Sequence, residues 1–312
     1  MVSCALDMAD VERVLRDDRP AALYVTSPDY LGNMADIPAL SALCRQYGAL
    51  LAVDNAHGAY LRFLPEDRHP IHLGADLCCD SAHKTLPVLT GGAYLHIAKN
   101  APQLLHTHAQ NALSLFASTS PSYLILQSLD AANRYLSDGY QAKLDALSAS
   151  LADAKRRLAG YGYAVLGDEP LKLTLLPKAI GWRGDELAAH LQSLGMMVEF
   201  ADPDFAVMMF TPQNASAVDA VVRALCAVEK RAPLAQKPPM LRRPVQRMTP
   251  REAVMSVQQR IPVSQSAGRV LAAASVNCPP AVPIVVCGEE IDQSAVDCFL
   301  YYGIEQVYVV EE

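Results

Sequence analysis

The sequence predicts an α/β protein built on a mainly parallel sheet and followed by small α+β units. Apolar runs of strand length alternate with helical patterns, as in βαβ units. Two of those runs end beside a charged group. The chain has 312 residues, 51% of them apolar, enough to bury cores for roughly two domains.

In chain order, Asp7 or Asp10 caps a short amphipathic helix ending near Arg16, and residues 21–26 (AALYVT) form a strand bounded by Pro28 and Gly32. Within residues 38–47, Leu40, Leu43 and Cys44 recur at helical spacing, and Gly48 stops that helix before the apolar strand 50–54 (LLAVD). Residues 75–79 (ADLCC) and 92–97 (GAYLHI) read as two further strands, with helices over 101–115 and from 121 to about 158. A small α+β domain over residues 159–232 is predicted from a strand at 171–176, a helix at 184–194, strands at 198–200 and 206–209, and a helix over 214–230. Residues 233–249, rich in proline, read as an extended linker. Residues 250–312 form a last unit, with helices at 250–257 and 291–301 and strands at 282–286 and 306–310.

The net charge of −7 excludes a nucleic-acid or anionic-membrane partner, either of which calls for a basic surface. Lys237, Arg242, Arg243 and Arg247, interrupted by prolines, read as solvated linker. Cys4, Cys44, Cys78, Cys79, Cys226, Cys278, Cys287 and Cys298 are scattered without a C-x-x-C pair, as suits thiols of a cytoplasmic protein. The first residues are acidic rather than basic, and no apolar run reaches membrane-spanning length. His106 and His108, two apart on a helix, point to different sides, so no metal site is expected. P-loop, G-x-G-x-x-G, H-E-x-x-H and G-x-S-x-G motifs are absent.

Chemistry concentrates at two strand ends. Ser81-Ala82-His83-Lys84-Thr85 follows the strand 75–79 directly, where open α/β sheets bind ligands. Apolar surroundings there favour the neutral amine of Lys84, which can condense with an aldehyde. The alternative is an ordinary surface lysine. Asp54 ends the strand 50–54 and faces the same crevice. A carboxylate so placed suits the pyridine nitrogen of pyridoxal phosphate (PLP), whose ring accepts electrons from a bond broken at an α-carbon; a helix N-cap or loop acid is the other reading.

The segments D-N-A-H-G-A at 54–59 and D-S-A-H-K-T at 80–85 together resemble the major domain of the ornithine/lysine/arginine decarboxylases, PLP enzymes of fold type I with aspartate-aminotransferase-like architecture. T-S-P-D-Y-L-G at 26–32 and P-P-A-V-P-I-V-V-C-G-E at 279–289 extend the resemblance over most of the chain. It implies that residues 1–158 are the C-terminal portion of a PLP-binding major domain and that residues 250–312 are the family's C-terminal domain. It further implies that Lys84 forms the Schiff base, Asp54 pairs with the pyridine nitrogen, Ala56 packs on the ring, and Ser81 and His83 contact the phosphate or the Schiff-base region. His57 is either a cofactor contact or a satisfied structural histidine. Thr26 and Tyr30 are weaker candidates, with strand-end hydrogen bonding as the alternative. Glu289 either meets a basic substrate's distal cation or is an exposed acid before a helix. Ala281 and Cys287 depart from the family's proline-rich motif.

The activity implied is decarboxylation of lysine, ornithine or arginine to an amine, in a cytoplasmic homo-oligomer. The alternatives are another fold-type-I reaction, such as transamination or a lyase step, and a catalytically incomplete fragment needing an N-terminal partner. The family's glycine- and serine-containing phosphate loop does not precede residue 21, so the chain is expected to lack the N-terminal part of the major domain.

Overall fold

The computed structural model describes residues 6–117, 120–273 and 283–311. Helix α1 (Met8–Asp17) is capped by Asp7, whose carboxylate accepts from the Ala9 and Asp10 N–H groups. There follow β1 (Ala22–Thr26), α2 (Ile37–Tyr47), β2 (Leu50–Asp54), α3 (Pro70–Leu73), β3 (Leu77–Asp80), α4 (Ala82–Thr85) and β4 (Tyr94–Ile97). Asp36 caps α2, and Gly48, at φ 72°, ends it in the left-handed conformation that glycine adopts without penalty. The sheet runs β1-β2-β3-β4, with the first three strands parallel and β4 antiparallel to β3.

Because side chains alternate along a strand, one sheet face buries Val25, Leu51, Val53 and Cys78 and the other does not. Tyr24 on that second face is 67% exposed, and Cys79 is exposed with it. The strands expected to be buried are therefore buried on one side only.

Helices α5 (Gln103–Phe116), α6 (Tyr123–Ser137) and α7 (Tyr140–Tyr161) follow. The single helix expected from 121 to 158 is two, because Gly139 takes φ 66° between them. Along α7, Leu144, Leu147, Leu151, Ala154 and Leu158 recur at helical spacing and are all buried. At about 1.5–3 kcal/mol per buried leucine, that stripe dominates the packing of α7.

A second sheet comprises β5 (Ala164–Leu166), β6 (Lys172–Leu176), β7 (Phe200–Ala201) and β8 (Ala206–Met209), all antiparallel in the order β5-β6-β8-β7. Helices α8 (Gly184–Ser193) and α9 (Val218–Ala227) accompany it. The helix expected over 214–230 begins instead as a 3-10 turn at Pro212–Ala217, kinked at Asn214, and runs on into α9. One apolar cluster holds Tyr60, Leu61 and Leu64 from the first unit together with Leu171, Leu173 and Leu175 from the second, so the two share a core.

The proline-rich stretch has no regular structure up to residue 245 but is pinned: Leu234 N–H donates to the Lys178 carbonyl, and Lys178 Nζ donates to the Gln236 carbonyl at 2.7 Å. In the last unit, α10 (Pro250–Met255) and α11 (Gln293–Tyr301) pack with the antiparallel pair β9 (Gln258–Pro262) and β10 (Gln306–Val310). Of the strand expected at 282–286, the described residues 283–286 form none. Residues 283–286 bend instead and bury Ile284 and Val285 in a core with Phe299 and Val309, while Ala281 and Val282 lie outside the described residues. Cys287 is buried, with its thiol 3.4 Å from the Ala272 carbonyl. Among the described residues, no helix is long and apolar enough to cross a membrane.

Candidate active site

Strands β1, β2 and β3 end side by side, which sets Thr26 beside Asp54 and Asp54 beside Cys79. Asp54 lies on the open sheet face. Its Oδ2 accepts from the Tyr24 hydroxyl at 3.1 Å and its Oδ1 from the Ala56 N–H at 3.0 Å. No helix starts there. Asp54 closes a turn, and each carboxylate oxygen keeps a lone pair.

Helix α4 leaves β3 immediately and is anchored by buried Ala82 and Thr85. His83 donates its backbone N–H and Nδ1 to the Gly92 carbonyl, at 3.2 and 3.1 Å. Ser81 is the N-cap residue, yet its side chain makes no cap hydrogen bond. Half-buried Lys84 forms no ion pair among the described residues. Its Nζ instead donates to Nε2 of His57 at 3.2 Å.

His57 is 4% exposed. Its pKa is pushed down to about 2, by burial first and then by the neighbouring ammonium groups of Lys172 and Lys84. The imidazole is therefore a neutral acceptor. With Nε2 facing Lys84, the ring hydrogen sits on Nδ1, which is buried without a partner among the described residues. His57 is thus not the fully satisfied structural histidine that one reading of the sequence allowed. The Tyr30 ring stands edge-on to it, 5.1 Å between centroids, while the Tyr30 hydroxyl donates to Glu199 at 3.1 Å. Burial and then Glu199 push that phenol up to about 12.

Behind these loops lies a network the sequence reading missed. Buried Asp80 accepts from Asn55 Nδ2 at 2.7 Å, His69 Nε2 at 3.1 Å and His96 Nε2 at 3.0 Å. Burial alone would raise its pKa, but the hydrogen bonds from His69, His96 and Asn55 outweigh burial and hold the carboxyl well below its usual range. His69, Asp80 and His96 are metal-ligating residue types whose ligand atoms lie within 4.8 Å of one another. Here, however, Nδ1 of His69 accepts from the Ile71 N–H, which places the ring hydrogen on the Nε2 facing Asp80. Hydrogen bonds therefore satisfy the cluster. They also tie Asn55, next to Asp54, to the strand that leads to Lys84. The signal in the sequence was an acid directly preceding Ser81; its partners come from other segments.

A Cβ at Gly58 would stand 1.9 Å from Asn55 Oδ1 and 2.6 Å from Leu61 Cδ1. Gly58→Ala is expected to pull Asn55 off Asp80 and destabilise the chain by about 1–3 kcal/mol, read as a lower urea midpoint. An unchanged midpoint would show that the turn relaxes without Asn55.

The structure thus sets Asp54, Ala56 and His57 at the end of β2 and Ser81, His83 and Lys84 after the neighbouring β3, with Lys84 and Tyr30 both against His57. Thr26 is exposed at the end of β1. Glu289 lies in the last unit, where its Oε2 accepts from the Val286 N–H at 2.7 Å, a hydrogen bond that closes a turn. His106 and His108 are exposed on α5.

Residues 6–159 match the family model described as Orn/Lys/Arg decarboxylase, major domain, and residues 234–306 match that for the Orn/Lys/Arg decarboxylase, C-terminal domain. An arginine decarboxylase of Bacillus subtilis is 28% identical over 94% of this chain, which spans 64% of that relative's length. Lysine decarboxylase A from Pseudomonas aeruginosa superposes with a TM-score of 0.75 at 14% identity, over 99% of this chain and 61% of its own. The Francisella novicida lysine decarboxylase superposes with a TM-score of 0.73 at 16% identity, over 96% and 60%. The architecture is accordingly that of the fold-type-I enzymes. With one model matching the strands that carry Asp54 and Lys84 and a second matching the last unit, the chain belongs to the Orn/Lys/Arg decarboxylase family.

Proposed function

We propose that this chain carries the cofactor-lysine half of a PLP-dependent decarboxylase acting on a basic amino acid: lysine, ornithine or arginine. One observation carries the reading. An amine, Lys84, is held 3.2 Å from a neutral imidazole at the end of β3, beside a carboxylate at the end of the adjacent parallel strand. The donor set fits PLP, because Lys84 is free of carboxylate partners among the described residues and Asp54 has lone pairs to spare on an open face. The match of residues 234–306 to a decarboxylase C-terminal domain favours this reaction over transamination.

When bound, PLP supplies an electron-withdrawing ring that takes up the electron pair left at the substrate's α-carbon as carbon dioxide departs. Lys84 would hold the cofactor covalently, and His57, uncharged, would accept a hydrogen bond from the Lys84 nitrogen and so orient it. Asp54 would keep the pyridine nitrogen protonated. Half-buried Ala56 offers a small surface for the ring, and Ser81 and His83 would contact the phosphate or the region about Lys84. The substrate class rests on relatives named arginine and lysine decarboxylases. Exposed Leu115, Phe116, Tyr123 and Leu124 support a homo-oligomer, in which such an apolar surface is covered.

The test is to incubate the chain with PLP, reduce with borohydride and map the modified peptide by mass spectrometry, with Lys84→Ala as control. A phosphopyridoxyl group on Lys84, followed by amine release from one of the three amino acids, is the expected result. Labelling that is unchanged in Lys84→Ala would overturn the assignment.

A further inference from the structure

Lys172 opens β6 and is 2% exposed, an unusual state for a lysine. Its Nζ donates to the carbonyls of Asp29 at 2.8 Å and Tyr30 at 3.0 Å, and lies 5.3 Å from the centroid of the Tyr30 ring. Those residues belong to the loop after β1, so the ammonium reaches from the second sheet into the first unit. Its base is held as firmly: Glu169, 1% exposed, accepts from the Lys172 N–H at 2.5 Å and from the Tyr60 hydroxyl, and Lys155 Nζ donates to the Glu169 carbonyl at 2.8 Å.

The charged groups that act on Lys172 are Glu169, Asp29 and Glu199, which favour its charge, and Lys84, which opposes it. Burial, the largest influence, lowers its pKa to about 8. Lys172 in turn ranks ahead of Lys84 among the charges that keep His57 unprotonated. Tyr30, gripped by its carbonyl, presents its ring to His57, and His57 faces Lys84. A continuous chain of contacts therefore runs from β6 to the proposed cofactor lysine.

We propose that Lys172 is a positioning residue of this site: it clamps the Asp29 and Tyr30 carbonyls, seats the Tyr30 ring against His57, and sets its ammonium where it acts on the Lys84–His57 pair. The inference deepens the cofactor-lysine reading, but its electrostatic part concerns the Lys84 amine whether or not a cofactor is bound.

It is tested by trace acetylation of the full chain with acetic anhydride near neutral pH, where Lys172 still carries its charge, with the Lys84 peptide quantified by mass spectrometry. In Lys172→Met, Lys84 is expected to react roughly three- to tenfold more slowly. Lys172→Arg keeps the charge and is expected to restore the rate, which a role in packing alone would not require. Glu199→Gln removes an exposed counter-charge and is expected to speed the reaction; it keeps the question answerable if Lys172→Met does not fold. A rate that is unmoved in folded Lys172→Met, or unmoved in Glu199→Gln, or as low in Lys172→Arg as in Lys172→Met, would overturn the proposal. Because acetylation needs no cofactor, a slowed Lys172→Met rate in a chain that never forms the phosphopyridoxyl adduct would leave this inference standing and sink the cofactor reading.

Discussion

Asp54→Asn is expected to slow amine release from a basic amino acid by about a hundredfold or more while leaving Lys84 open to borohydride trapping with PLP. The amide has nearly the same shape and can still accept from the Ala56 N–H, and the Tyr24 hydroxyl bond it disturbs lies on an exposed face, so the fold should survive. What is lost is the negative charge that, on the proposed reading, holds a proton on the pyridine nitrogen. Removing one preorganised electrostatic partner of a developing charge typically costs 10²–10³ in turnover. The measurement is kcat for the variant against the parent, with the urea midpoint as a check on folding. Full turnover in a folded Asp54→Asn chain would take Asp54 out of the mechanism.

Asp80→Ala should show a large effect of a different kind, on stability. The substitution leaves Asn55 Nδ2 and the Nε2–H groups of His69 and His96 without their shared acceptor in a site where Asp80 is only 3% exposed. Stranding buried donors that served a carboxylate costs about 3 kcal/mol or more. The pH dependence has a definite sign. Since the folded-state pKa of Asp80 lies below its ordinary value of 3.8, its contribution is fully present above that value and is lost as pH falls through the lower folded value. Stability of the parent chain should therefore drop on acidification below about pH 4, and the Ala variant should lack that part of the drop. Urea midpoints at pH 7, 5, 4 and 3 would show it. Parallel curves for the two chains would mean that Asp80 is not the group being titrated.

Much of this molecule was legible from local sequence. Residues 50–54, 206–209 and 306–310 are strands where their short apolar runs predicted them, and Gly48 ends its helix where its missing side chain permits a positive φ. That Asp54 and the Lys84 segment stand at adjacent strand ends was recognisable because Asp54 closes one strand and residues 81–85 follow the next, and parallel strands end together. Local reading failed where the local signal was ambiguous. Gly139 sits in an otherwise helical pattern that does not reveal a break. In β9, the sequence QQRIP buries only Ile261 and so carries no alternation to detect.

The sequence by itself determined the order of the elements, the sheet that aligns Asp54 with the strand leading to Lys84, and the residue types available for chemistry there. Only the tertiary structure decided what those residues experience. Lys172 lies 143 positions from the Asp29 carbonyl it grips, Tyr30 lies 169 from Glu199, and Asp80 draws its donors from three separate segments. Periodicity and turn chemistry act over a few residues. The desolvation and charge that keep His57 neutral come from groups that only folding brings within a few ångströms.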